Sequence, residues 1–308
     1  MMKYQKWKPL NPNLSSLAII APASAAIEQR VENGILWLNN QGYKTHFPPE
    51  SIDIDLFFAA KLKTQLNLFR KSLEKKYDGI WCLRGGYGSM RLIPYLEKMK
   101  PKSPKLFIGF SDITSLHLYL NQKWNWPTLH GRTISQLNGD MNSDEAFEYK
   151  KIISGEIRQI LFQDLEPLNK YASKNFSIES TITGGNLRIV QSSIGTAWEV
   201  QTNNKILFLE DVAERGYSVD RMLEQLDQAG KLTRIKALIF GDFTEGLEKN
   251  GDNLIPATMQ RWADRLKVPV LKGLPAGHGP INRCVPFNTK TQLYLGGKGT
   301  LVIETGSI

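Results

Sequence analysis

The chain has 308 residues, with 39 lysines and arginines against 30 aspartates and glutamates (net charge +9) and 41% hydrophobic residues. This globular balance excludes wholesale disorder and fibrous repeats, and its length suits one large domain or two ordinary ones. The lysines are scattered, and no zinc-finger spacing, RNP-like signature or basic zipper accompanies them, so no nucleic-acid partner is expected despite the charge.

Residues 17–21 form an apolar run that Pro22 stops. Lysines ahead of it and alanines behind it give the outline of a secretory signal, but the run is too short, and a first buried strand feeding a turn explains it better. No run approaches the eighteen apolar residues of a membrane helix, so a soluble, cytoplasmic protein with no membrane partner is expected. A helical pattern over 27–40 closes at Gly42. A second helix is predicted over 62–73, a strand over 79–83, a helix over 90–98, a strand over 105–110 and a helix over 112–120. Strands apolar on both faces, alternating with helices, predict a parallel sheet covered by helices, with ligands at the carboxyl ends of its strands.

From 164 to 177 the pattern loses periodicity and reads as a linker. Beyond it, strands near 205–209, 237–241, 292–294 and 300–303 are separated by turn clusters, with helices near 218–230 and 256–266. The division expected is an N-terminal α/β unit over 1–165 and a second, β-rich α/β unit over 178–308.

Four features have chemical potential. Ser111, in Gly109-Phe110-Ser111-Asp112-Ile113, sits where an apolar strand turns directly into a helix. There a hydroxyl stands above the sheet edge and the Asp112 amide points out of a helix start, the logic of a nucleophile elbow; a plain helix N-cap suits the same residues. The turn Arg84-Gly85-Gly86-Tyr87-Gly88 lets backbone approach a ligand closely, but it lacks both the dinucleotide spacing and the P-loop Gly-Lys-Ser/Thr. Glu210 ends the apolar strand Ile206-Leu207-Phe208-Leu209, placed either to orient a histidine or in a solvated loop. His278 lies between glycines in Leu274-Pro275-Ala276-Gly277-His278-Gly279-Pro280, a fixed loop with little side-chain cover expected. His46 and His117 read as structural, and His130 is intermediate. Two cysteines, Cys82 and Cys284, can make neither a disulfide framework nor a four-cysteine zinc site. A serine, a glutamate and a histidine in that chain order make a self-consistent triad, two members from the second unit and one from the first.

Ala21-Pro22-Ala23-Ser24, Arg84-Gly85-Gly86-Tyr87-Gly88, Gly109-Phe110-Ser111-Asp112, Gly184-Gly185-Asn186-Leu187, Leu209-Glu210-Asp211 and Gly277-His278-Gly279 occur in one order along nearly the whole chain. In these motifs the sequence resembles the LD-carboxypeptidases of bacterial murein recycling and their relatives, the microcin C self-immunity peptidases. The resemblance implies a flavodoxin-like N-terminal half and a β-rich C-terminal half. It implies a triad of Ser111, Glu210 and His278, with the amides of Gly86 and Asp112 as oxyanion donors. It implies a cytoplasmic homodimer that needs no metal or other cofactor. The small peptide substrate implied is a muropeptide tetrapeptide cut between diaminopimelate and terminal D-alanine; the alternative is an amide bond in a peptidyl-nucleotide.

An exopeptidase must also hold a free carboxylate, for which a guanidinium fork suits best. Arg84, Arg132 and Arg188 are the cationic candidates, with Tyr87 and Glu214 as further substrate contacts. Two of these depart from the family pattern: Arg188 stands where a small polar residue is expected, and Arg132 follows His130-Gly131 where proline is common.

Overall fold

The computed structural model describes residues 4–137, 139 and 141–308; the first three residues of the expected N-terminal unit, and 138 and 140, lie outside that description. Five short strands form a parallel sheet: β1 (Ser16–Ile20), β2 (Lys44–His46), β3 (Gly79–Cys82), β4 (Leu106–Gly109) and β5 (Thr128–His130). Their order across the sheet is 2-1-3-4-5, the flavodoxin-like arrangement. Helices α1 (Glu28–Asn40), α2 (Leu62–Ser72), the short α3 (Ile93–Leu96), α4 (Thr114–Lys123) and α5 (Ser143–Ile153) accompany it. The helix expected over 90–98 is broken into two single turns, with Pro94 at the start of the second, where its missing N–H is harmless.

The second sheet has eight strands. β6 (Gln159–Pro167) and β7 (Ser177–Ser180) precede a run that is parallel again: β8 (Ile182–Asn186), α6 (Leu187–Ser192), β9 (Ile206–Val212), α7 (Gly216–Gln228), β10 (Ala237–Thr244), α8 (Ile255–Arg265) and β11 (Val270–Lys272). The chain then places β12 (Val285–Phe287) in the first sheet, antiparallel to β5, before β13 (Thr291–Tyr294) and β14 (Gly299–Glu304) close the second sheet against β7 and β6. The sheets therefore do not divide at a linker after 165. β6 runs on to Pro167 with alternate residues buried, and β12 belongs with the N-terminal strands. Pro286 has no N–H to give a ladder, and the edge position of β12 tolerates it.

The two sheets share their cores. One contiguous apolar cluster contains Trp81, Ile108 and Leu129 of the first sheet with Ile206, Phe208 and Ile239 of the second. A second cluster joins Ile80, Phe107 and Leu116 to Leu207, Leu238 and Trp262. At the closest approach, β8 meets the start of α4, where Asn186 N–H donates to Thr114 Oγ1 at 3.1 Å. Gly185 permits it, and Gly184 permits the close pairing of β8 with β9 inside the second sheet. Gly184 and Gly185 have φ of 127° and 118°; a Cβ on Gly184 would stand 1.9 Å from Phe208 O, and one on Gly185 2.6 Å from Thr114 Oγ1. Among the described residues no helix is long and apolar enough to cross a membrane.

Gly185→Ala should therefore destabilise the fold by about 1–3 kcal/mol from backbone strain alone, with the Thr114 clash adding to it. Urea unfolding followed by tryptophan fluorescence measures this; an unchanged midpoint would refute the close-approach argument.

Candidate active site

The carboxyl ends of β3 and β4 meet those of β9 and β10 and the loop after β11 at an open cleft of about 600 Å³, bordered by Arg84, Gly85, Gly86, Phe110, Ser111 and His278. Ser111 follows β4 with φ of 62°, a left-handed conformation that is costly for a residue with a side chain and that turns its hydroxyl out of the strand line. The sharp strand-to-helix turn expected there is present, and no side-chain cap bond is made at it. The glycine turn lies directly alongside. A Cβ on Gly85 would fall 3.0 Å from Ser111 Oγ, and one on Gly86, whose φ is 97°, would fall 2.5 Å from Ser24 Oγ. Ser24 secures this turn from the end of β1: its N–H donates to Gly85 O at 3.2 Å and its Oγ accepts Tyr87 N–H at 3.1 Å.

Asp112 keeps its side chain out of the cleft. Its Oδ2 accepts Ser89 N–H at 2.8 Å and its carbonyl accepts Ser89 Oγ–H at 2.6 Å. Burial raises the carboxyl's pKa, with the Ser89 bonds opposing. As second residue of a one-turn helix, its own N–H has no intrahelical acceptor and lies at the positive end of the turn.

Glu210 and His278 come together as expected. Glu210 is fully buried at the end of β9, and its Oε2 lies 2.7 Å from His278 Nδ1. Gly277, with φ of 132°, allows the contact, since a Cβ there would fall 2.8 Å from the same oxygen. His278 is more covered than its glycine flanks suggest, because Phe110, the residue before Ser111, lies against its ring at 4.8 Å between centroids. Burial pulls the imidazole pKa down, but the hydrogen bond to Glu210 and the charges of Glu210, Asp211 and Glu245 outweigh it, and the net shift is upward.

Acidic residues missed from the sequence surround this pair. Burial first and then the charge of Glu210 push Asp211 up to about 7, against hydrogen bonds from Val212 N, Asn186 Nδ2 and Arg188 N. Asp242, at the end of β10, is pushed up to about 6, chiefly by burial and then by Glu210, against the Gly279 amide and His278. His130 is buried behind the elbow, edge-on to Phe110 and Phe208, and desolvation holds its pKa well below the ordinary value. Thr133, Ser135 and Gln136 also border the cleft. The capping box of Thr133 and Gln136 is a signal that the sequence carried and that would have located this turn.

Of the five further substrate candidates, only Arg84 borders the cleft, with Nη1 donating to Ala25 O at 2.7 Å. Arg30, not singled out from the sequence, borders it too. Arg188 and Glu214 pair with each other at the α6–α7 junction. Tyr87 is exposed and packs against Phe57 and Phe58. Arg132 is a correction: its guanidinium is buried in a two-pronged pair with Glu145 and so is turned away from any substrate.

Residues 17–131 match the model of the LD-carboxypeptidase N-terminal domain and residues 179–293 that of the C-terminal domain. The chain belongs to the LD-carboxypeptidase family, and with it to the serine-type carboxypeptidases. A Rickettsia conorii protein assigned by name to the carboxypeptidases is 38% identical over 94% of this chain and 90% of its own length. The murein tetrapeptide carboxypeptidase of Pseudomonas aeruginosa is 28% identical over 96% of both chains. Among solved structures, muramoyltetrapeptide carboxypeptidase from Oxalobacter formigenes superposes with a TM-score of 0.81 at 28% identity, covering 94% of this chain and 99% of that one. The self-immunity protein MccF in complex with glutamyl sulfamoyl guanosine gives 0.84 at 18% identity, over 98% and 99% of the two chains, a likeness of fold.

Glu210→Gln removes the charge that lifts His278 and leaves burial, which lowers it. The imidazole should titrate above 6.5 in the wild type and lower in the variant, where only Asp211 and Glu245 still oppose burial, as followed by the Cε1–H proton resonance. A midpoint unmoved by the substitution would contradict this electrostatic account.

Proposed function

We propose that this carboxypeptidase releases terminal D-alanine from muropeptide tetrapeptides by hydrolysing the L,D-peptide bond, as a step of murein recycling, through a Ser111–His278–Glu210 triad. The observation that carries the reading is the buried Glu210–His278 hydrogen bond beside a serine with φ of 62° on the same cleft. With Nδ1 engaged by Glu210, the imidazole has Nε2 left as its base. It takes the hydroxyl proton as Ser111 attacks the scissile carbonyl, and then delivers that proton to the leaving amine of D-alanine. The amides of Gly86 and Asp112 receive the tetrahedral oxyanion, each such donor being worth about 3–4 kcal/mol. Water, deprotonated in turn by His278, then cleaves the acyl-enzyme and regenerates Ser111.

The substrate's carboxylates find guanidinium groups at the cleft border in Arg84 and Arg30. The choice of muropeptide rests on the relatives, of which the Pseudomonas aeruginosa enzyme is a murein tetrapeptide carboxypeptidase alike along nearly its full length. Cytoplasmic action by a homodimer belongs to the same reading.

Ser111→Ala should lower D-alanine release by at least about a thousandfold while leaving circular dichroism and melting unchanged. Undiminished release would end the assignment, and release of nucleotide from a peptidyl-adenylate in place of D-alanine would replace the substrate. Because His278 must be neutral to act and its pKa is raised, kcat/KM should rise with pH through a midpoint above 6.5.

A further inference from the structure

The loop carrying His278 is the crossover between the sheets: it leaves β11 in the second and ends in β12, which pairs with β5 in the first. One end is tied to the second sheet. Asp242 N–H donates to Ala276 O at 3.0 Å, and Gly277 lies against Glu210. The loop also closes on itself, with Gly277 N–H donating to Asn282 Oδ1 at 3.1 Å and Arg283 N–H to Pro275 O at 3.0 Å.

The other end is tied to first-unit residues. Arg132 Nη2 donates to Pro280 O at 2.7 Å. Asn282 N–H donates to Glu145 Oε1 at 3.0 Å, and Asn282 O accepts Tyr149 Oη–H at 2.9 Å. Tyr149 Oη in turn accepts Arg132 N–H at 2.5 Å. Arg132 and Glu145 are themselves joined twice, Nε to Oε1 at 2.5 Å and Nη2 to Oε2 at 2.9 Å, with side chains only 4% and 1% exposed. Arg283 adds a more open two-pronged bond to Glu148 on the same helix.

A pair this deeply buried is a poor source of net stability, since desolvation consumes the Coulombic gain. What it supplies is direction, because a planar fork accepts a carboxylate in few orientations. We propose that Arg132 and Glu145 form a latch that fixes the His278 loop to the first sheet and so sets the imidazole's position relative to Ser111. Both are positioning residues, and the roles of Ser111 and His278 are those of the reading above. Glu210 and Gly277 travel with the second sheet. Loosening the latch therefore leaves the Glu210–His278 bond intact and displaces the imidazole from the serine alone.

The test uses the double variant Arg132→Met/Glu145→Leu, which removes both charges and orphans neither, beside Arg132→Lys, which keeps the charge without the fork. Three quantities are compared with wild type: kcat and KM, the rate of Ser111 labelling by a fluorophosphonate, and the His278 titration midpoint. The latch predicts kcat and labelling falling together, on the order of 10- to 100-fold, with KM and the titration midpoint unchanged, and a smaller loss in Arg132→Lys. Folded variants that label and turn over at the wild-type rate overturn it, as does a titration that shifts with the rate. If the double variant does not fold, labelling of Arg132→Lys at the wild-type rate is the overturning result. Wild-type protein that labels at Ser111 but releases no D-alanine removes the substrate reading and leaves the latch judged on labelling; wild-type protein that does neither overturns both.

Discussion

A nucleophile on one sheet and a base on another work together only while the sheets hold their register to a fraction of an ångström. For the Ser111 and His278 proposed here, that constraint is met first by the core. Trp81 and Ile108 of the first sheet share an apolar cluster with Phe208 and Ile239 of the second, so the units are fused through a common interior. Such a junction differs from the smaller, more polar interfaces across which domains ordinarily swing. Polar contacts then refine it near the site: Asn186 N–H on Thr114 Oγ1, three residues beyond Ser111, and the return of β12 to the edge of β5. Gly185 serves the same end, since a side chain there would hold β8 away from Thr114.

The electrostatics of the site follow from this closeness. Glu210 is wholly buried with only one of its oxygens hydrogen-bonded, to His278. Its charge is felt by two acids beside it: Asp211 and Asp242 both carry raised pKa values with Glu210 among the causes. The sign of the resulting linkage is set by which group titrates. A raised acid is most stabilising below its unfolded value near 3.8 and loses that contribution as pH rises to about 6 or 7. The buried imidazole of His117, lowered to about 4, acts oppositely, contributing stability above 6.5 that is lost as pH falls. The two kinds of group overlap between about 4 and 6.5, where their pH dependences oppose each other.

The sequence made Ser111, Glu210 and His278 legible because each ends or follows a short apolar strand, and strand ends are where a parallel sheet presents ligands. The glycines at 85, 86 and 277 were legible for the same local reason. Arg132 was not. Read along the chain it was a free guanidinium, and the partners that claim it, Glu145 and Pro280, reach it only through helix α5 and a crossover loop. The strand β6 went unread because Asp164 and Glu166 on its exposed side read as polar irregularity when the pairing strand, β14, lies at the far end of the chain. Asp211 and Asp242 look like surface carboxylates until burial beside Glu210 is known. For Arg132 and β6, what escaped was set by a distant partner.

The chain order of the proposed triad has a topological cause. A parallel α/β unit places all its carboxyl ends on one edge, and here two such runs, β1 to β5 and β8 to β11, turn those edges toward one cleft. The first run is complete before the second begins, so the serine at the end of β4 must precede the carboxylate at the end of β9. That carboxylate must in turn precede a histidine borne on the exit from β11. The histidine then falls on the one segment that has to return to the first sheet, because β12 pairs with β5. A histidine carried on a crossover is tied to both sheets by the covalent chain itself, and Pro280 and Asn282 are where the first unit can take hold of its loop. Buried charge at Arg132 and Glu145, costly as a source of stability, is explicable there as a means of choosing one register for that crossover out of the several that apolar packing alone would tolerate.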